Sequence, residues 1–290
     1  VPPPRLVFAA PPRFVSTASH LQASVPPQLG SVLRLTGLAD PGPPIRVVLA
    51  PEGSPEAGLV PAWVVGYALG EQGLIVLLPE RVPRYPDSSL DDVLLHETAH
   101  VLVARAAGGR PLPRWFQEGM AMIAGRSWGL DDRTRLTLAL LVDRPVSLAA
   151  LDDRFAGGQA EVHRAYAIAG SFVRDLLDRY GPGTAPAILA GVARGLSFDD
   201  AFSAATGTSL AYAEDSFWDR QTFWYRWVPV LTSSVTLWLL ITLLALWAIR
   251  HRRRRDAAQR RIWEEEEARE RERLAAAAAL EGPGPDGWVN

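Results

Sequence analysis

Cysteine is missing altogether from the 290 residues. That excludes a disulfide framework, a thiolate metal site and a cysteine nucleophile, and is neutral about compartment. Lysine is missing as well, so all 30 basic side chains are arginine. There is no excess of charge of one sign: the formal net charge is −2. Without a dominant basic face, a nucleic-acid partner is excluded. With 48% hydrophobic residues, the chain can build one sizeable core and little more. Histidine is scarce, five in all, which makes the placing of two of them informative.

Those two stand in His96-Glu97-Thr98-Ala99-His100. Residues four apart on a helix lie about 40° apart around it, so both imidazoles leave one face. Neutral imidazole suits zinc, and a catalytic site takes three protein ligands with a fourth position for water. Glu118, in Trp115-Phe116-Gln117-Glu118-Gly119, is the natural third ligand. Glu97 sits beside the ligand face, where a carboxylate can take the proton of an activated water. The local signals predict a helix: Asp87-Ser88-Ser89 offers an N-cap, Asp91 and Asp92 suit the first turn, and Gly108-Gly109 with Pro111 ends it. Val93, Leu94, Leu95, Val101, Leu102 and Val103 place apolar packing on both sides of the motif. A second helix is expected from near Arg114.

His-Glu-Thr-Ala-His followed by Trp-Phe-Gln-Glu-Gly resembles the gluzincin side of the HExxH zinc metallopeptidases, most closely the compact bacterial peptidase MA-like domains. The likeness continues through the run from Tyr166 to Gly181 and through Phe198–Phe202 with Ala205-Thr206-Gly207, covering about residues 45 to 222. The resemblance implies one Zn2+ per chain on His96, His100 and Glu118, with Glu97 as general base and a peptide or protein as substrate. It also implies a tyrosine or histidine from a later helix to stabilise the oxyanion. His163 and Tyr166 are spaced for one helical face, and Tyr166 aligns better. The implied fold is α+β: a small N-terminal mixed sheet packed on a zincin-type active-site helix, then a mainly helical subdomain. The sequence departs from the family in two respects. Seventeen residues separate His100 from Glu118, one fewer than in the large aminopeptidases of this clan. The aspartate that thermolysin-like relatives place four residues beyond the glutamate ligand is here Met122. A hydrogen-bond acceptor behind the ligating histidines therefore has to come from elsewhere.

Ile45–Leu49, Trp63–Leu69 and Gly73–Leu78 read as strands bounded by Pro and Gly, and 70–73 as a hairpin turn. Gly73–Leu78 is expected to be the edge that pairs with substrate backbone. Glu71 falls where large aminopeptidases keep a glutamate for a free amine, but its surroundings match poorly; a plain turn and an endopeptidase are expected. Residues 1–44, rich in proline, read as an extended lead-in with a short helix near 19–29. They contain no signal-peptide core.

A single long uncharged run, Trp227 to Ile249, would reach about 34 Å as a helix, enough for a bilayer. Tryptophans crowd both ends, and Arg250 with Arg252–Arg255 follows. The expectation is a C-terminal transmembrane helix with flanks at 223–250, placing the peptidase domain (45–222) outside and a charged tail (251–290) in the cytoplasm. That makes the membrane a partner, and leaves the tail, helical over 256–280 and disordered over 282–287, able to meet a cytosolic one. The function expected is a membrane-anchored, extracytoplasmic zinc endopeptidase; the alternative is a zinc-bound scaffold that keeps the fold without turnover. An intramembrane protease is rejected, because Val93–Ala107 is too short to span and carries Arg105.

Overall fold

The computed structural model describes residues 2–82, 89–125, 146–232, 238–252 and 267–274, with side chains between 222 and 237 left aside. The chain divides into two compact units, Val1–Thr222 and Phe223–Asn290.

In the first unit a four-stranded sheet has the order β1-β2-β4-β3. β1 (Leu6–Ala9) pairs parallel with β2 (Ile45–Leu49), with Leu6 opposite Ile45. β2 pairs parallel with β4 (Leu74–Leu77), and β4 pairs antiparallel with β3 (Gly66–Leu69), with Gly66 opposite Leu77. The β3–β4 hairpin turns at Gly73, whose φ of 58° favours a residue without Cβ. All three expected strands form, the second and third shorter than expected. The expected edge does not hold: β4 is paired on both sides, and among the described residues β1 and β3 are the end strands, β3 being the one at the cleft. The lead-in is not extended either. β1, α1 (Val15–Ser24) and α2 (Leu29–Thr36) join the core through Leu21, Val25, Leu29 and Val32, all wholly buried.

After α3 (Pro55–Gly58) comes the central helix α4, Leu90–Ala106. Ser89 caps it, its Oγ accepting from the Asp92 N–H at 3.2 Å; Asp91 and Asp92 occupy the first turn, and Arg105 the last. Asp87 and Ser88 lie outside the described residues. Gly108 and Gly109, both at positive φ, end it. α5 follows (Arg114–Gly125), then α6 (Leu148–Arg154), α7 (Gln159–Tyr180), α8 (Thr184–Ala193), α9 (Phe198–Thr206) and α10 (Leu210–Thr232).

α4 is buried on nearly all sides because it lies between two cores. Val93, Leu94, Leu95, Val101 and Leu102 belong to the cluster under the sheet and α2. Val103 and Ala107 belong to the helical cluster with Trp115, Phe116, Ile168 and Phe172. α5 and α7 approach closely where Gly119 meets Ala169 and Val173.

The expected membrane span is overturned: among the described residues no helix is long and apolar enough to cross a membrane. The helix from Leu210 carries Glu214, Asp215, Asp219 and Arg220 in its first half. The described helical stretch 238–252 exposes Trp238, Leu240, Leu244 and Trp247 and carries Arg250, His251 and Arg252. The arginine-based orientation, and the membrane as a partner, lose their footing with it. In the tail 267–274 is helical; the expected disorder of 282–287 lies outside the described residues.

Candidate metal centre

α4 presents His96 and His100 one turn apart, and their Nε2 atoms face each other at 3.2 Å. α5 crosses α4 and brings Glu118 to them: its Oε2 lies 3.3 Å from His100 Nε2 and 3.6 Å from His96 Nε2. A tetrahedral zinc with ligands at about 2.0–2.1 Å has ligand–ligand edges of about 3.3 Å. The three donors thus outline one face of such a tetrahedron, and two imidazoles with one carboxylate are the right chemistry for it. Glu118 Oε2 is buried and makes no hydrogen bond among the described residues. Burial alone would push this carboxyl up, but His100 and then His96 outweigh it and hold the carboxyl well below the usual carboxylate range. It is therefore ionised, as a ligand must be. The other oxygen, Oε1, faces Arg114 Nε at 3.7 Å, one turn earlier on the same helix.

The three donors open into a cleft of about 860 Å³, lined also by Glu97 and Tyr166. That is at the upper end of ordinary ligand pockets, about 300–1,000 Å³. One wall is β3 and its approaches, Gly66, Tyr67 and Ala68 among them; the other comes from Arg114 and Gln117 of α5 and from Phe155–Gly157. Two glycines let the wall close on α4. A Cβ at Gly66 would meet Val93 Cγ1 at 2.8 Å, and one at Gly70 would meet Ala104 Cβ at 3.0 Å.

Residues 61–223 match the model of the Peptidase MA superfamily. The chain belongs to the Peptidase MA superfamily. No curated protein and no solved structure matches it. Membership supports a peptidase-like fold and hydrolase chemistry, and the HExxH pair falls inside the matched stretch.

Within this Peptidase MA domain, His96, His100, Glu118, Glu97 and Tyr166 all come together at one cleft. Tyr166, on α7, sets its ring edge-on to His96 with centroids 6.1 Å apart. His163 does not line the cleft. Met122, where the thermolysin-like aspartate would stand, is buried in the core. Glu71 is in the hairpin turn and also lines the cleft. Sequence reasoning missed Phe155, whose ring stands edge-on to Tyr166 at 5.4 Å and under the Arg114 guanidinium at 5.0 Å. Nothing in its local sequence marks it. Arg114 did have a signal, four residues ahead of Glu118.

Proposed function

We propose that this chain is a zinc-dependent endopeptidase. The observation that carries the reading is the triangle of His96 Nε2, His100 Nε2 and Glu118 Oε2, with edges of 3.2–3.6 Å, at the base of a cleft that Glu97 also lines. Zinc held by these three residues would supply a Lewis acid that polarises the scissile carbonyl and makes a water nucleophilic near neutral pH. Glu97 takes the proton of the attacking water and passes it to the leaving amine nitrogen. The Tyr166 hydroxyl donates to the developing oxyanion. The outer edge of β3, which no other described strand pairs, holds the substrate extended by main-chain hydrogen bonds. Arg114, on the far oxygen of Glu118, keeps that carboxylate turned so that Oε2 faces the histidines.

Zinc content and turnover of the purified full chain test this together. One zinc per chain is expected, lost in His96→Ala. Glu97→Gln keeps size and hydrogen bonding, so it should retain zinc while peptide hydrolysis falls by about 10² to 10⁴. Full zinc retention in His96→Ala sinks the ligand assignment. Equal turnover by wild type and Glu97→Gln, or no turnover by wild type on any peptide library, makes the domain a scaffold instead.

A further inference from the structure

The segment between β2 and β3 has only a single turn of helix, Pro55–Gly58, yet its end builds part of the cleft: Val60, Pro61, Trp63 and Val64 face it. A stretch without a ladder must satisfy its carbonyls elsewhere, and one side chain does much of this. Arg81, just past β4 and 6% exposed, donates from Nε to Glu52 Oε1 at 2.7 Å and from Nη2 to Glu52 Oε2 at 2.9 Å. Nη2 also donates to the Ala57 carbonyl at 3.2 Å. Nη1 donates to the carbonyls of Pro61 at 3.0 Å and Val64 at 2.9 Å. A guanidinium carries five N–H groups, and these contacts use all of them. Glu52 is anchored in turn, its backbone N–H donating to Glu80 Oε2 at 2.7 Å.

The Arg81 side chain is buried but that of Glu52 is 46% exposed, and an ion pair open to water on one side adds little stability. The pair instead gives geometry, fixing one carboxylate and three carbonyls relative to the end of β4. The wall so fixed is mostly apolar. Val60, Trp63 and Val64 are half-buried, whereas α5 brings Arg114, Gln117 and Glu118 to the cleft. Val65, next in the chain, accepts from the Leu78 N–H at 2.7 Å and leads directly into the β3 edge.

We infer that Arg81 is a positioning residue for the cleft: it holds the Val60–Val64 wall as a subsite for an apolar substrate side chain. The inference rests on the peptidase reading above and adds a substrate class to it, peptides carrying a bulky apolar residue beside the scissile bond.

The test uses the zinc-loaded full chain and peptide pairs that differ by Phe or Ser at one position, scanned across the cleavage site. Wild type should favour Phe at one position by at least about 10-fold in kcat/KM, the scale on which an apolar pocket discriminates. Arg81→Lys offers three donors on a point charge where five in a fork are needed. It should cut that preference at least about 5-fold through a raised KM for the Phe peptide, with zinc still at one per chain. Amides between 57 and 66 should exchange with solvent at least about 10-fold faster in the variant, which can be read without turnover. Glu52→Gln leaves the three carbonyl contacts in place and should move preference and exchange the same way by less, so it serves if Arg81→Lys does not fold. Faster exchange with an unchanged Phe preference, or no apolar preference in wild type, overturns the inference and leaves the peptidase reading standing. Absence of any cleavage by wild type overturns that reading, and the inference with it.

Discussion

Gly119→Ala is a demanding test of how the third ligand is placed. A Cβ there would lie 2.5 Å from Val173 Cγ2 and 2.6 Å from the Ala169 carbonyl oxygen. Ordinary contacts begin at about 3.5 Å, so α5 and α7 must part by roughly 0.9 Å. The valine methyl can turn away; the Ala169 carbonyl, held in the α7 ladder, cannot. Alanine is favoured over glycine inside a helix by up to about 1 kcal/mol, whereas overpacking a core costs about 1–3 kcal/mol. The clash wins, leaving a net loss of about 1–2 kcal/mol and a Tm lower by about 2–8 °C for a unit of this size. The shift also reaches Glu118, the next residue, and metal–ligand distances tolerate only about 0.2 Å. Zinc affinity should therefore drop at least about 10-fold, the scale seen when a ligand's support is disturbed. Gly30, in α2, is the counterpart: its Cβ would meet nothing closer than Arg34 Nη1 at 3.7 Å, so Gly30→Ala should gain up to about 1 kcal/mol. Thermal melts and competitive zinc titration of both variants decide it. A Gly119→Ala protein that melts higher than wild type with unchanged zinc affinity would refute the close approach of α5 to α7.

Three shorter predictions accompany it. Tyr166→Phe should lower kcat by about 10² with zinc retained; a silent substitution would remove Tyr166 from the oxyanion role. Glu71 lines the cleft, so Glu71→Gln separates two modes of cleavage: internal cleavage of blocked peptides should persist, and selective loss of cleavage next to a free amino terminus would indicate an aminopeptidase. Burial raises the Glu214 carboxyl, the Leu148 N–H partly opposes this, and Asp215 raises it further. Its charged form is thus disfavoured in the fold, a cost present above its folded pKa and relieved as pH falls through it. Glu214→Gln keeps an acceptor for Leu148, so its Tm advantage over wild type should be largest at neutral pH and shrink towards pH 4; an advantage that grows with acidity contradicts the assignment.

The helix that carries the candidate ligands was more legible than the sheet that frames it. α4 could be read because its determinants are local: Ser89 caps, Asp91 and Asp92 lead, Gly108 and Gly109 close. The same holds for β2, whose Ile45–Leu49 span matches the apolar run. Leu6–Ala9 was missed because four residues among prolines become a strand only through parallel pairing with Ile45–Val48. The choice of edge failed for the same reason. β4 is the more apolar strand, and β2, some 28 residues earlier, occupies its second side, a fact of topology that alternation does not encode. The Arg81 clamp is equally non-local, joining 81 to 52, 57, 61 and 64. At the far end, the uncharged run suggests one long span, but among the described residues no helix is long and apolar enough to cross a membrane.

If substrate pairs along β3 as proposed, that strand restricts which chains can be cut at all. A four-residue strand presents the outward N–H and C=O groups of two residues, or about four hydrogen bonds at roughly 0.5–1.5 kcal/mol each. Holding any partner costs about 4–15 kcal/mol of lost freedom, so the strand alone cannot retain a second copy of itself, and short edges of this kind resist self-assembly. A substrate can stay only by adding side-chain contacts, and only if its own backbone groups are unspent. Chain already paired in a helix or an internal strand has none to offer. On the reading proposed above, the enzyme would pass over folded neighbours and select tails, linkers and unravelled segments, leaving conformational state, ahead of sequence, as the first filter on what it cleaves.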